Sequence, residues 1–123
     1  MNIKLIVVIL LVILLVGGGI WETIFVEKTL RTLDEKISAV MDAGEPYDPA
    51  VIEEIIKWWK GKKSTLALFL PHVSINEITF ALHELWGTTL AEDYKSSTAV
   101  LTKVIGQIDS IEDTFTFSPA NIL

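Results

Sequence analysis

The stretch Leu5–Val16, "LIVVILLVILLV", is an unbroken aliphatic run, and after Lys4 no charge appears until Glu22. Seventeen uncharged positions therefore run from Leu5 to Trp21. That is at the short end of what a helix needs to cross ~30 Å of hydrocarbon. A cleaved signal peptide is the competing reading. Lys4 supplies a one-charge n-region, the aliphatic run an h-region, and Gly17 and Gly19 small residues for cleavage after Gly19. Retention is favoured because apolar residues resume at Ile20-Trp21 and Ile24-Phe25-Val26, and Trp21 suits an interfacial anchor. The expectation is a transmembrane signal-anchor over residues 1–21, with lipid met by residues 5–21, followed by an extracytoplasmic helical domain over 22–123.

Positive charge does not decide the orientation. The amino terminus and Lys4 lie on one side; Lys28, Arg31 and Lys36 lie on the other. An exported domain is nonetheless expected, because long domains translocate largely regardless of charge. From Glu22 onward there are nine basic and sixteen acidic residues. Nucleic acid is excluded as a partner, since affinity for it rests on neutralising phosphates. The absence of cysteine removes disulfides, thiolate metal sites and thiol catalysis together.

Helical periodicity fills the rest. Val26, Leu30, Leu33, Ile37 and Val40 alternate at spacings of four and three, a narrow bundle-type stripe continuing from the membrane segment. Gly44 caps this helix, with Pro46 just beyond. Asp48 caps the second helix and Pro49 takes its first position. Ile52, Ile55, Trp59, Leu66 and Phe69 form the second stripe, which Pro71 ends. Ser74 and Glu77 read as a capping box opening the third helix, with Val73 and Ile78 as a hydrophobic staple. Ile78, Leu82, Leu85 and Trp86 continue its buried face. After a tight turn near Ala91-Glu92-Asp93, Leu101, Val104, Ile108 and Ile111 mark the fourth. The sequence thus predicts an all-α fold: the transmembrane helix, then helices over about 22–43, 49–70, 74–90 and 93–113. Short connections make neighbours antiparallel, giving an up-and-down four-helix bundle or two stacked helical hairpins. A docked C-terminal tail, 114–123, completes it.

The cluster Lys57-Trp58-Trp59-Lys60-Gly61-Lys62-Lys63 concentrates basic charge in an acidic chain. On a helix its tryptophans lie about 100° apart and both border one apolar stripe. Lys57 follows Glu53 by four and Glu54 by three, the favourable order for helix pairs. A mid-helix position ~15 Å from either end exceeds the ~8 Å Debye length. The cluster therefore reads as core tryptophans with solvated lysines, ahead of a docking patch or a membrane contact.

A tryptophan in the second helix, "LALFLPHVSINEI" at 66–78, a hairpin turning near Glu92-Asp93 and the terminal "SPANIL" resemble the bacterial family catalogued as domain of unknown function 4363. The resemblance spans essentially the full length. It is most specific at Leu68-Phe69, at His72 and Ser74, and at Asn121-Ile122-Leu123; Pro71 and Val73 are less typical. It implies a membrane-anchored helical protein of bacteria and no assigned activity.

No catalytic, cofactor or metal site is expected. His72 and His83 are the only histidines, and "HELWG" at 83–87 places Gly87 where a zinc protease needs its second histidine. His72 is expected to tie the turn between helices two and three through a ring nitrogen. Antiparallel order returns helix four to that same turn, beside the membrane. Phe115, Phe117, Ile122 and Leu123 are too apolar for a free tail, and are expected to dock on the bundle or to meet another membrane protein. A non-enzymatic adaptor or accessory subunit at the cell envelope is the expected role, ahead of an extracytoplasmic ligand-binding bundle or a hydrolase. Trp59, Phe69, His72, Ser74, Glu77, Phe115, Phe117, Asn121, Ile122 and Leu123 are the candidate structural or interaction residues.

Overall fold

The computed structural model describes residues 2–122, with side chains described as far as Phe115. Four helices follow in order: α1 (Ile3–Ala43), α2 (Pro49–Leu66), α3 (His72–Leu90) and α4 (Tyr94–Ile122). Packing runs α1 on α2, α2 on α3, α3 on α4 and α4 back on α1, with no diagonal pair among the described residues. That cyclic order is an up-and-down four-helix bundle, in which each short turn sets neighbours antiparallel.

The apolar run and the first bundle helix are one element. Asn2 caps α1, accepting from the Lys4 amide at 3.0 Å. The helix then continues through Gly17-Gly18-Gly19 to Ala43. From Ile3 to Trp21 it projects beyond the bundle; its apolar window has a mean hydropathy of 3.0 with none of it buried against the rest of the chain. Among the described residues this is the one helix long and apolar enough to cross a membrane. From Val26 onward the same helix turns a stripe inward, and Val26, Leu30, Leu33, Ile37 and Val40 are all buried. We call the end of the bundle beside Trp21 the near end and the opposite end the far end.

At the far end Gly44 closes α1 at a φ of 76°, a left-handed conformation that glycine adopts without a Cβ penalty. Asp48 accepts from the Ala50 amide at 2.9 Å and Pro49 takes the first position of α2. Tyr47 is buried between these helices. Its hydroxyl pairs with Thr98 at 2.6 Å and its ring meets Tyr94 edge-on at 5.9 Å, fastening the α1–α2 turn to α4. Ser97 is fully buried and shares hydrogen bonds with Thr88 at 2.8 Å and Thr89 at 3.3 Å. Asp93 caps α4 by accepting from the Ser96 amide, and its bonds to Ser96 hold its carboxyl below the usual aspartate value.

Several expected boundaries shift. α2 stops at Leu66 rather than near 70, because Leu68 and Phe69 bond back by three residues in a tightened turn. Lys63 consequently stands in the last turn of α2, not mid-helix, where its charge suits the dipole. α3 begins at His72 with Pro71 as its cap residue and no side-chain capping bond. Ser74 and Glu77 are thus inside the first turns and form no capping box. The staple is not formed either, since Val73 is 68% exposed while Ile78 is buried. Trp86 lies outward as well. The residues from Thr114 are not a separate tail, since the backbone continues α4 to Ile122; the expected docking of the side chains beyond Phe115 lies outside the described residues.

The tryptophan pair divides its work. Trp59 is buried to 1% and donates its indole N–H to Thr79 at 2.9 Å, linking α2 to α3. Trp58 is half-buried, with the Lys36 ammonium 5.3 Å from its ring centroid. Lys57 and Lys60 are exposed. Trp59→Ala should therefore cost about 3–5 kcal/mol, whereas changing Lys57 and Lys60 to Gln should cost under ~1 kcal/mol. Urea unfolding of the full chain in detergent, followed by tryptophan fluorescence, measures both.

Candidate functional site

The near end is where three parts of the chain separated in sequence converge. Trp21, at the base of the apolar extension, stacks on Phe25 at 5.5 Å between centroids. It also meets Phe69, in the α2–α3 turn, edge-on at 5.7 Å. Both are favourable aromatic geometries. They tie the turn to the point where α1 leaves the bundle.

Beside this contact lies a cavity of about 270 Å³ lined by Phe69, Leu70, Pro71, Ser74, Ser110, Ile111, Thr114 and Phe115. The α2–α3 turn forms one wall and α4 the other. Phe115 is half-buried and packs against the core because it continues the α4 stripe four residues after Ile111. The Ser74 and Ser110 side chains bring polar groups to an otherwise largely apolar lining. Such a site can accept an apolar side chain and satisfy a backbone group beside it; nothing in it provides a nucleophile with an adjacent base.

The expected site residues fall into three groups. Phe69, Ser74 and Phe115 meet at this cavity. Trp59 belongs to the core, and Glu77 is exposed on the outer side of α3. His72 is likewise exposed. It does not tie the turn, which is held by the backbone bonds of Leu68, Phe69 and Leu70 and by Phe69 against Trp21. The side chains of Phe117, Asn121 and Ile122, and Leu123 altogether, lie outside the described residues. In the sequence Trp21 reads as an interfacial anchor and Phe25 only as part of the apolar resumption at 24–26; their aromatic spacing of four is the available sign that they share a face.

No family model, curated protein or solved structure matches this chain. Its chemistry must be read from its own side chains. Among the described residues no three His, Asp or Glu side chains cluster as a metal site. The one acidic group whose titration moves upward near this end is Glu112. Partial burial raises its carboxyl first, then the Asp109 and Asp34 charges, while Arg31 opposes them.

The sign of that shift gives a test. A carboxyl raised in the folded state loses stability as pH rises from its unfolded value of 4.5 through its folded value. Glu112→Gln should therefore raise the melting temperature at pH 7, and the gain should vanish below pH 4.5. Paired thermal scans of wild type and variant across that range measure it.

Proposed function

We propose that this chain is a membrane-anchored, non-enzymatic adaptor or accessory subunit for another membrane protein at the bacterial cell envelope. The observation that carries the reading is the near-end cavity. It opens beside Trp21, where the apolar part of α1 meets the bundle. A partner held in the same bilayer reaches that end first. The anchor is the stretch from Leu5 to Trp21, and the bundle lies on the extracytoplasmic side, consistent with export by a signal-like segment. The resemblance to domain of unknown function 4363 agrees with a short bacterial membrane protein and adds no activity.

Two measurements test this. The intact chain should remain in the membrane pellet after carbonate extraction, with a C-terminal reporter active only outside the cytoplasm. A mature N-terminus at Ile20 overturns the retained anchor. For the partner, a photoreactive amino acid at Ser74 or Ser110 should crosslink in native membranes to one other membrane protein, and at Glu53 on the outer side of α2 should not. Phe115→Ala should reduce the adduct at least several-fold. Equal labelling at all three positions overturns the near-end site.

A specific observation favours the ligand-binding alternative. Between α1 and α2 at the far end lies a cavity of about 380 Å³, with Ala39, Val40, Ala43, Val51 and Ile55 among its lining and Glu45, Asp48 and Glu54 on it. That volume falls within the ~300–1,000 Å³ of small-molecule sites, and with Lys36 as well as Glu45 and Glu54 on it the cavity offers both signs of charge beside an apolar wall. Native mass spectrometry of protein purified from membranes should then show a bound small molecule that Val51→Trp removes.

A further inference from the structure

Charge is divided unevenly around the near end. Between Glu54 and Glu77 the sequence carries four lysines, Lys57, Lys60, Lys62 and Lys63, and no acid. That stretch forms most of α2, the α2–α3 turn and the first turn of α3. α4 is the opposite: no Lys or Arg follows Lys103, while Asp109, Glu112 and Asp113 stand toward its near end. α1 is balanced there, with Glu22 and Glu27 against Lys28 and Arg31. Since α2 and α4 are diagonal in the bundle, the near end is basic on one side and acidic on the other. Among the described residues none of the four lysines has a carboxylate partner; the salt bridge present joins Lys103 to Glu84 at 3.9 Å.

The end of α2 decides what these lysines can reach. With α2 stopping at Leu66, Lys62 and Lys63 stand only ~4–6 Å along the axis from its last residue. That is inside the ~8 Å Debye length, which a mid-helix position exceeds. Phe69, three residues past Leu66, touches Trp21, so the turn lies level with the base of the apolar projection. Its tip is apolar. Among the described residues Leu68, at 75%, is the most exposed large apolar side chain outside the projection, and Val73 is 68% exposed. α3 starts at this end, and helical side chains lean toward the N-terminus of their helix, which aims Val73 at the same boundary.

We infer that the basic side of the near end, from Lys60 to Val73, rests on the surface of an anionic bilayer. Leu68 and Val73 enter the boundary between headgroups and acyl chains, and the lysines beside them meet the headgroup charge. Apolar tips flanked by lysines are the pattern of interfacial segments. Two apolar side chains and three lysines would hold a free protein weakly. The inference therefore rests on the anchor proposed above, which keeps the turn at the surface and makes the contact intramolecular in effect. The same headgroups repel Asp109, Glu112 and Asp113, so one charge pattern sets the lean of the bundle: α2 toward the lipid, α4 away from it.

The absence of cysteine makes the test direct. Ser64→Cys and His72→Cys place a bimane label on the basic side, and Asp113→Cys places one on the acidic side; all three positions are exposed. The labelled full chain is reconstituted in vesicles of phosphatidylcholine, alone or mixed with phosphatidylglycerol, with a fixed share of lipid carrying a nitroxide on its headgroup. In the anionic vesicles quenching at Ser64 and His72 should exceed that at Asp113 at least threefold. It should fall at least threefold in phosphatidylcholine alone, and again in high salt, which shortens the screening length. Lys60→Gln, Lys62→Gln and Lys63→Gln together, or Leu68→Gln alone, should lower it similarly with the melting temperature unchanged. Equal quenching at all three positions describes an upright bundle and overturns the inference. Quenching indifferent to phosphatidylglycerol and to salt overturns it as well, and so do labels unquenched in every vesicle, which leave that side to a partner protein. Carbonate washing of the same vesicles judges the anchor separately. A chain washed off sinks the anchor and this inference together, while a retained but unquenched chain sinks this inference alone.

Discussion

The continuity of α1 governs everything else in this molecule. Its 41 residues extend ~60 Å at ~1.5 Å each, and the apolar projection and the first bundle stripe share one hydrogen-bonded ladder. The bundle therefore inherits its position from the projection. Gly17, Gly18 and Gly19 are the soft point of that ladder, each about 1 kcal/mol less favourable than alanine, with no neighbouring side chain to support them. Four residues span the distance from Ile20 to Thr23 before Phe25 and Val26 enter the packing. Trp21 stands in that interval, and its contacts with Phe25 and Phe69 begin the bundle. The glycines are thus where this ladder is least supported.

The two ends of the bundle are held by different forces. At the far end the bonds are directional: Tyr47 to Thr98, Ser97 to Thr88 and Thr89, and Asp93 to the start of α4. Tyr47, Ser97 and Thr89 are buried there with defined partners, and losing one partner leaves a buried group unsatisfied at a cost of about 1–3 kcal/mol. At the near end the turn from Leu66 to Pro71 is held by aromatic contact and short backbone bonds around an open cavity. Apolar contact is not directional, so this end can repack around a new side chain with little penalty. Both ends hold a cavity, and they differ in what frames it: directional hydrogen bonds at the far end, aromatic contact and a short turn at the near end.

Much of this was legible in the residues because periodicity survives any error in boundaries. Every stripe residue that the spacing marks in α1 and α4 is buried, while Thr29, Ser97 and Val100 are buried without being marked by it, and the caps at Gly44 and Asp48 follow from residues with one strong conformational preference. The failures cluster at Pro71. Its ring fixes φ near −65° and lacks an N–H, so it can serve directly as the boundary residue, and α3 starts two residues before the apparent capping box of Ser74 and Glu77. Trp86 is expected on the buried face with Ile78, Leu82 and Leu85, yet a helix turns ~100° between Leu85 and Trp86, and its ring lies outward. The near-end cavity was foreseen only as a meeting of the tail with the turn. Phe115 reaches it as a further residue of the α4 stripe rather than as part of a separate tail, a reading that the spacing from Ile111 already allowed.

The first turn of α3 joins the features that set this bundle apart. Ser74 lines the near-end cavity, while its neighbour Val73 is exposed. Adjacent residues on a helix point ~100° apart, so one faces the cavity and the other outward. Both stand in one short segment, His72–Ser74, that has no side-chain cap to hold it. Its support is Pro71, whose fixed φ makes the junction stiff, and Phe69, two residues earlier, which bears on Trp21. Phe69 thus joins that turn to Trp21, at the point where α1 passes from the bundle into its apolar extension.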